Sequence, residues 1–432
     1  MRLYLTALNP TDSVTGGFLP AARALGCEVT LLTDQPERYT DVETLRTDVR
    51  DARAVIDTVA RHHPPDAIFS NSDHIQPETA LAAAYFGLPA KDWRACLTAK
   101  NKYLTRRALA AAGVERVRTA RLTPGEPPPG DLPYPVVVKP REGVASEDVV
   151  LVSGPGELRR VTGGIWERRP GATLVAEEYL RGPLHTLETL GDGRAIRVLG
   201  GFRTTLGPLP YFVEERLDWD PGPDGDHGHR RDHGQGGDTG RADDTRRADE
   251  TRRADDTRRA DETRRADETR RGGDAGHVLR ALAAVGAGFG ACHVEYVRTE
   301  QGPRIVEINY RLIGDTCDFL LAEILGVPLF EYVLRVHLGE PVPAVPQAVG
   351  HGAAVSLVAA RGGVITRSPG DVAETIGAAR LRHRPLRAAG DKVELTNTNR
   401  DYLGVVRAVG PDRAAVDHAI DAFRARAPWV VE

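Results

Sequence analysis

Ala291-Cys292-His293-Val294-Glu295-Tyr296-Val297 and Arg304-Ile305-Val306-Glu307-Ile308-Asn309-Tyr310-Arg311, joined through Thr299 to Pro303, decide how this 432-residue chain is read. Both runs alternate around a Gly-Pro turn, the pattern of an antiparallel hairpin. Folding it about Gln301 sets Glu295 across from Glu307 and puts Asn309 two residues further along the same face. The opposite face then carries Val294, Tyr296, Val306 and Ile308. Cross-strand partners sit about 5 Å apart and like charges there destabilise a sheet, so something cationic belongs between the two carboxylates. A hard divalent ion such as Mg²⁺ takes oxygen ligands, commonly one or two carboxylates plus substrate phosphates, and on that reading the hairpin is half of a nucleotide–metal site. The alternative is a solvated pair neutralised by Arg304 or Arg311.

At 41% hydrophobic residues the chain has material for roughly two to four packed units. A formal net charge of -4 argues against nucleic acid as a partner. Met1 to Leu5 run straight into a strand pattern, so no signal peptide is expected. The most apolar windows are too short or too broken to span a bilayer, so no membrane partner is expected either. Cys27, Cys96, Cys292 and Cys317 lack metal-type spacing and read as free thiols of a reducing cytoplasm.

Upstream, residues 2–8 read as a strand, Gly16-Gly17 as a turn, Phe18 to Leu25 as a helix and Cys27 to Leu32 as a second strand, a βαβ start that implies an open parallel sheet. Asp34 ends the second strand, but the turn lacks the three-glycine dinucleotide fingerprint. Asp73 and His74 follow another strand, where a loop cap is the plain role and cleft lining the functional one. Thr98 to Ala112 reads as one helix, basic in its first half through Lys100, Lys102, Arg106 and Arg107, as a solvated face would be. Pro124 to Gly130 reads as a linker between units. Tyr134 to Pro140 and Val149 to Val152 are strands around the small-residue loop Arg141 to Asp148, which with Lys139 at its mouth can lay N–H groups and an ammonium against phosphate. From Pro221 to Gly276 almost nothing is apolar and a six-residue unit recurs, as in Thr245-Arg246-Arg247-Ala248-Asp249-Glu250, which cannot form a core. It is expected to be disordered or a solvated helix, and its His227, His229 and His233 to be an incidental polar loop rather than metal ligands.

Taken together, these pieces resemble an ATP-grasp ligase of the carboxylate–amine branch that includes bacterial L-amino acid ligases. The most specific part is Glu295 followed by Glu307-Ile308-Asn309-Tyr310-Arg311. The resemblance implies an α/β (α+β) ATP-grasp architecture: a pre-grasp domain over 1–97, a linker helix and lid over 98–180, a core with the metal site over 181–340 interrupted by the insertion 221–276, and a C-terminal α+β domain over 341–432. It implies ATP and Mg²⁺, with Mn²⁺ as a substitute, held by Glu295, Glu307 and Asn309. Arg311 and Lys139 would serve catalysis, with Lys102 and Lys139 on the phosphates and Ser146 in the covering loop. Glu177-Glu178-Tyr179-Leu180 would be the adenine hinge, with Glu177 accepting from the base and the Leu180 N–H donating to it. Relatives place a ribose-binding glutamate where this chain has Leu184-His185, and His185 is assigned to the ribose. Glu147 and Asp148 close a loop that is normally Gly- and Ser-rich, which is unfavourable beside a triphosphate unless both face outward. The implied partners are a small-molecule carboxylate and an amine, amino acids among them, and a homodimer is common among such ligases. A biotin-dependent carboxylase and a nucleotide-binding scaffold without turnover are the alternatives.

Overall fold

A computed structural model describes residues 1–220, 273–314 and 316–432. The charged repeat with its three histidines therefore lies outside the described residues, as does Asp315. Four strands, β1 (Arg2–Thr6), β2 (Glu28–Thr33), β3 (Glu43–Arg46) and β4 (Ala67–Phe69), form a parallel sheet in the order β3-β2-β1-β4. Leu3, Leu5, Leu31 and Phe69 are buried on one face and Tyr4, Leu32 and Ile68 on the other, as expected of strands covered on both faces. The expected Gly16-Gly17 turn is instead part of the helical segment Ser13–Phe18. A Cβ on Gly17 would stand 2.3 Å from the ring of Phe330, so glycine is there to let two helices meet.

The expected single helix from Thr98 is two, Trp93–Lys100 and Lys102–Ala111, because Asn101 leaves helical geometry and its side chain accepts from the Leu104 N–H. That break puts Lys102 at a helix start. Next, β5 (Thr119–Leu122), β6 (Val136–Pro140), β7 (Val150–Val152) and β8 (Leu174–Glu178) make an antiparallel sheet in the order β5-β8-β6-β7. Since β5 pairs with β8, the Pro124 to Gly130 stretch is a loop inside this sheet and not a linker between units.

Among the described residues the largest sheet has nine strands. β9 (Leu184–Asp192), β10 (Ile196–Leu206), β11 (Glu214–Asp220), β12 (Phe289–Thr299) and β13 (Gly302–Asn309) form its first part. It runs on across position 340, where β11 pairs with β14 (His351–Val358) and beyond it lie β19 (Tyr402–Gly410), β17 (Ala379–Pro385) and β16 (Val372–Ile376). A separate, fourth sheet joins β15 (Gly363–Arg367), β18 (Lys392–Val393) and β20 (Val430–Val431) in the order β18-β15-β20. Among the described residues no helix is long and apolar enough to cross a membrane.

The hairpin β12–β13 pairs Glu295 with Glu307 and His293 with Asn309, the register set by folding about Gln301. Its tip differs. Thr299 pairs with Gly302 across a two-residue turn, and the register shifts between Glu295 and Tyr296, so that Val306 is bulged and Ile305 pairs with Tyr296. Ile305, not Val306, is therefore the core residue, fully buried with Val294, Tyr296 and Ile308 against Leu109, Val278 and Leu282. Each such side chain contributes about 1.5–3 kcal/mol by leaving water. This apolar backing fixes which face the acids present.

Candidate active site

Registers of β9, β12 and β13 place six polar side chains on one sheet face: Thr186, Glu295 and Glu307 in one row, Glu188, His293 and Asn309 in the next. The contacts follow the grid. His293 Nδ1 meets Glu188 Oε1 at 2.7 Å and its Nε2 lies 3.5 Å from Glu295 Oε1, while Thr186 donates to Glu188 at 2.8 Å and the Asn309 amide to Glu295 at 3.4 Å. Lys102 donates to Glu307 Oε1 at 2.7 Å. The cations that the facing carboxylates require are thus Lys102 and His293. Arg304 donates to the carbonyls of Gln301 and Pro303, and Arg311 to those of Leu312 and Ile313. Burial opposes the charged form of His293, but Glu188 outweighs it and lifts the imidazole to about 10. Burial would raise Glu295 as well, yet His293 holds its carboxyl below the usual range.

These residues fit a divalent ion. Two carboxylates and an amide oxygen carrier converge, and ammonium and imidazolium already stand where positive charge is needed. Oε2 of Glu188 is buried with no hydrogen-bond partner among the described residues, a further open acceptor. No three His, Cys, Asp or Glu side chains among the described residues close a metal cage by themselves. An ion here would complete its shell with phosphate oxygens and water, the habit of Mg²⁺.

Lys139, the next-to-last residue of β6, donates to Glu177 at 2.8 Å. Burial pulls its ammonium below the ordinary lysine range, Glu177 opposes that, and Arg106 adds to the fall. Glu177 also receives the fork of Arg106, Nε to Oε1 and Nη2 to Oε2 at 2.9 Å each. Its carboxyl is held far below the usual range, because these two cations outweigh burial. Both oxygens of Glu177 thus already accept from Arg106 and Lys139, contacts that the assignment of this carboxylate to the base did not include. Glu178 accepts from the Arg118 N–H at 3.0 Å. The Leu180 N–H makes no hydrogen bond among the described residues and so keeps its expected donor capacity.

His185 also differs from its assignment. Strand alternation puts it on the face opposite Thr186 and Glu188, stacked on Tyr296 with centroids 5.7 Å apart and 3.0 Å from Asp220. Leu184 is the residue in line with the acidic face, so neither side chain supplies a polar contact for a ribose there.

Ser146, with Ala145 and Asp148, has positive φ in the loop between β6 and β7. Lys102 ties this loop down through its N–H to the Arg141 carbonyl at 3.1 Å and its ammonium to the Gly143 carbonyl at 3.4 Å. Glu147 and Asp148 face outward, Glu147 to Arg400 and to Arg169 at 2.5 Å, Asp148 to Arg168 at 2.6 Å. The Ala145 carbonyl accepts from the Asn399 N–H at 3.0 Å, so the loop is docked on the segment before β19. Both acids are therefore neutralised away from the small residues that would face phosphate.

Three participants escaped the sequence reading, and a fourth, Asp73, was read there as a loop cap or a cleft wall. Arg106 sits one turn after Lys102, and that i,i+4 spacing could have flagged a shared buried face, whereas the run was read as solvated; both are buried while Leu104 and Arg107 are exposed. Asp73 is no cap: its carboxylate pairs with Lys100 and lies 4.0 Å from Arg311 Nε, which brings the parallel sheet's edge to the site. The other two are Glu188 and His293, whose pairing only the sheet register shows.

No family model matches the chain. It is 26% identical over 450 aligned residues to the uncharacterized protein y4rH of Sinorhizobium fredii, covering 100% of this chain and 84% of that protein. Among solved structures it is similar to an L-amino acid ligase from Bacillus licheniformis, with a TM-score of 0.72 at 17% identity over 100% of this chain and 98% of that one. Phosphoribosylglycinamide synthetase from Anaerococcus prevotii superposes with a TM-score of 0.64 at 12% identity, covering 100% and 99%. The biotin carboxylase domain of the Hydrogenobacter thermophilus 2-oxoglutarate carboxylase, solved as a dimer with MgADP and bicarbonate, gives 0.64 at 13% identity, covering 100% and 90%. A parallel sheet followed by two antiparallel sheets, one of them carrying the paired carboxylates, matched end to end by these structures, identifies the architecture: the chain has the ATP-grasp fold.

Proposed function

We propose that this protein is an ATP-dependent carboxylate–amine ligase that joins small molecules through an acyl-phosphate and releases ADP and phosphate. The observation that carries this reading is Glu295 facing Glu307, with Lys102 bonded both to Glu307 and to the Gly143 carbonyl of the loop. Glu295, Glu307 and Asn309 would hold Mg²⁺, which when bound supplies charge neutralisation on the phosphate chain. In the first step a substrate carboxylate oxygen bonds to the γ-phosphorus as the β–γ bridge breaks, and ADP leaves with that electron pair. An amine nitrogen then attacks the acyl carbon, phosphate departs, and the nitrogen loses a proton. Neither step needs a side-chain nucleophile. Lys139 and Lys102 position and neutralise phosphoryl oxygens, and Arg311 steadies the acyl-phosphate or the substrate carboxylate. Leu180 donates to adenine, and the docked loop around Ser146 excludes water.

Amino acids are the proposed substrates, in the manner suggested by the similarity to an L-amino acid ligase, and cytoplasm the proposed setting. The four buried free cysteines are in keeping with that setting. The test is phosphate release from MgATP by the whole chain in the presence of pairs drawn from the L-amino acids. ADP, phosphate and a new amide in equal amounts are expected. AMP and pyrophosphate as products, or no amide with any pair, would refute the proposal.

A further inference from the structure

Outside the carboxyl end of β1, where open parallel sheets bind ligands, lies a cavity of about 160 Å³, with room for about five waters at ~30 Å³ each. Asp12, from the segment after β1, forms one wall, and Thr316 and Phe319, from the segment after the acidic hairpin, form another. The third wall is the sheet face of β17 and β19, where Arg382 pairs with Arg407 and Arg384 lies two residues on.

The charges do not balance evenly. Arg384 is satisfied by two hydrogen bonds of 2.9 Å to Asp12 and a third of 3.2 Å to Asp371. Arg382 and Arg407 share one carboxylate, Glu323, at 3.7 and 3.4 Å. Arg407 lies over the Phe319 ring and donates to the Thr316 carbonyl at 3.0 Å, while its Nε is buried with no partner among the described residues. A guanidinium only 13% exposed, with its Nε donor buried and unused, is costly unless a ligand completes it. Thr316 itself has φ 66°, a left-handed conformation that is strained for a β-branched residue, and its carbonyl is the one Arg407 holds. The strain thus sits where the cavity meets the segment leading from Arg311. A larger groove at Asp34 is open to solvent, and its Arg46 and Arg50 are already paired with Glu37 and Asp34 at 2.9 and 3.0 Å.

We infer that this cavity binds the spectator carboxylate of a substrate, the α-carboxylate of an amino acid whose amine is the one joined, with Arg407 and Arg382 as its partners. The assignment rests on the ligase reading for the identity of the reaction, but not for the binding itself. The same chemistry could be offered by the second carboxyl of a dicarboxylic acid that is activated at its other end.

The experiment uses the full chain with MgATP, each L-amino acid and its carboxamide as amine, and monocarboxylic and dicarboxylic acids as donors. Arg407→Gln is expected to raise KM for the amino acid at least about tenfold, the loss of one charge-assisted hydrogen bond, with KM for ATP unchanged. Carboxamides are expected to react equally poorly with both proteins, and Arg407→Lys to restore part of the affinity. A rise confined to dicarboxylic donors would support the site and name its other source. Because Arg407 is partly buried, Arg382→Gln, a more exposed position, is measured beside it, with melting temperatures for all variants. Unchanged KM for every carboxylate in both folded glutamine variants overturns the inference alone. Calorimetric binding of amino acids that is lost in Arg407→Gln, without any turnover in the parent protein, would uphold the cavity and refute the ligase reading.

Discussion

Replacing Glu177 by glutamine tests whether this carboxylate is an electrostatic keystone or a reader of adenine. It is buried and receives two bonds from Arg106 and one from Lys139. Arg106 would keep Glu115, 3.0 Å away, but Lys139 would be left as a buried cation facing an amide. Removing one partner of a buried pair costs about 3–5 kcal/mol. At roughly 2–4 °C per kcal/mol for a chain of some hundreds of residues, the melting temperature is expected to fall by roughly 6–20 °C in differential scanning calorimetry. Adding Lys139→Met removes the stranded charge, so much of the loss should return in the double variant, a coupling that a cycle measures directly. A glutamine variant that melts within 2 °C of the parent, roughly the effect of a single kcal/mol, while losing its preference for ATP over GTP, would show that Glu177 reads the base.

Glu307→Gln is expected to lower kcat by about 10²–10³, in the range of losing one electrostatic contact to the transition state, and to raise the Mg²⁺ concentration for half-maximal rate; a magnesium titration checks both. Arg400→Ala should undock the loop at Glu147: KM for ATP rises several-fold and proteolysis within 141–148 speeds up, while stability changes by no more than about 1 kcal/mol, since Arg400 is largely exposed. Asp192 accepts from the backbone N–H groups of Arg194, Ala195 and Val342, which lower its pKa to about 2. Its folded value is below its unfolded one, so its contribution is complete above about pH 4 and lost as pH falls toward 2; Asp192→Asn should remove that part of the acid slope in urea titrations at pH 2–5.

Local signals carried far in this chain. Glu295 opposite Glu307 followed from alternation and a Gly-Pro turn, because period-two patterning with one buried face leaves one register. The bulge at Val306 was not legible, since a two-residue turn plus one extra residue gives the same pairing further up as a longer symmetric turn. Lys102 meets Glu307 and Lys139 meets Glu177, pairings across distant strands and helices that no local pattern shows. Glu177 looked like a ligand group because strand position cannot show that Arg106, from a distant helix, fills both its oxygens. His185 failed by one residue of alternation, the smallest slip that moves a side chain through a sheet. The outward turn of Glu147 and Asp148 depended on Arg168, Arg169 and Arg400, the last of them 253 residues away from Glu147.

The most direct measurement is a crystal structure of the chain soaked with Mg²⁺ and a non-hydrolysable ATP analogue. The account predicts a metal within about 2.0–2.1 Å of oxygens of both Glu295 and Glu307, phosphate oxygens in its shell, and Lys102 moved from Glu307 onto phosphate. Nucleotide bound with its phosphates away from this hairpin, or a metal that touches neither carboxylate, would contradict it.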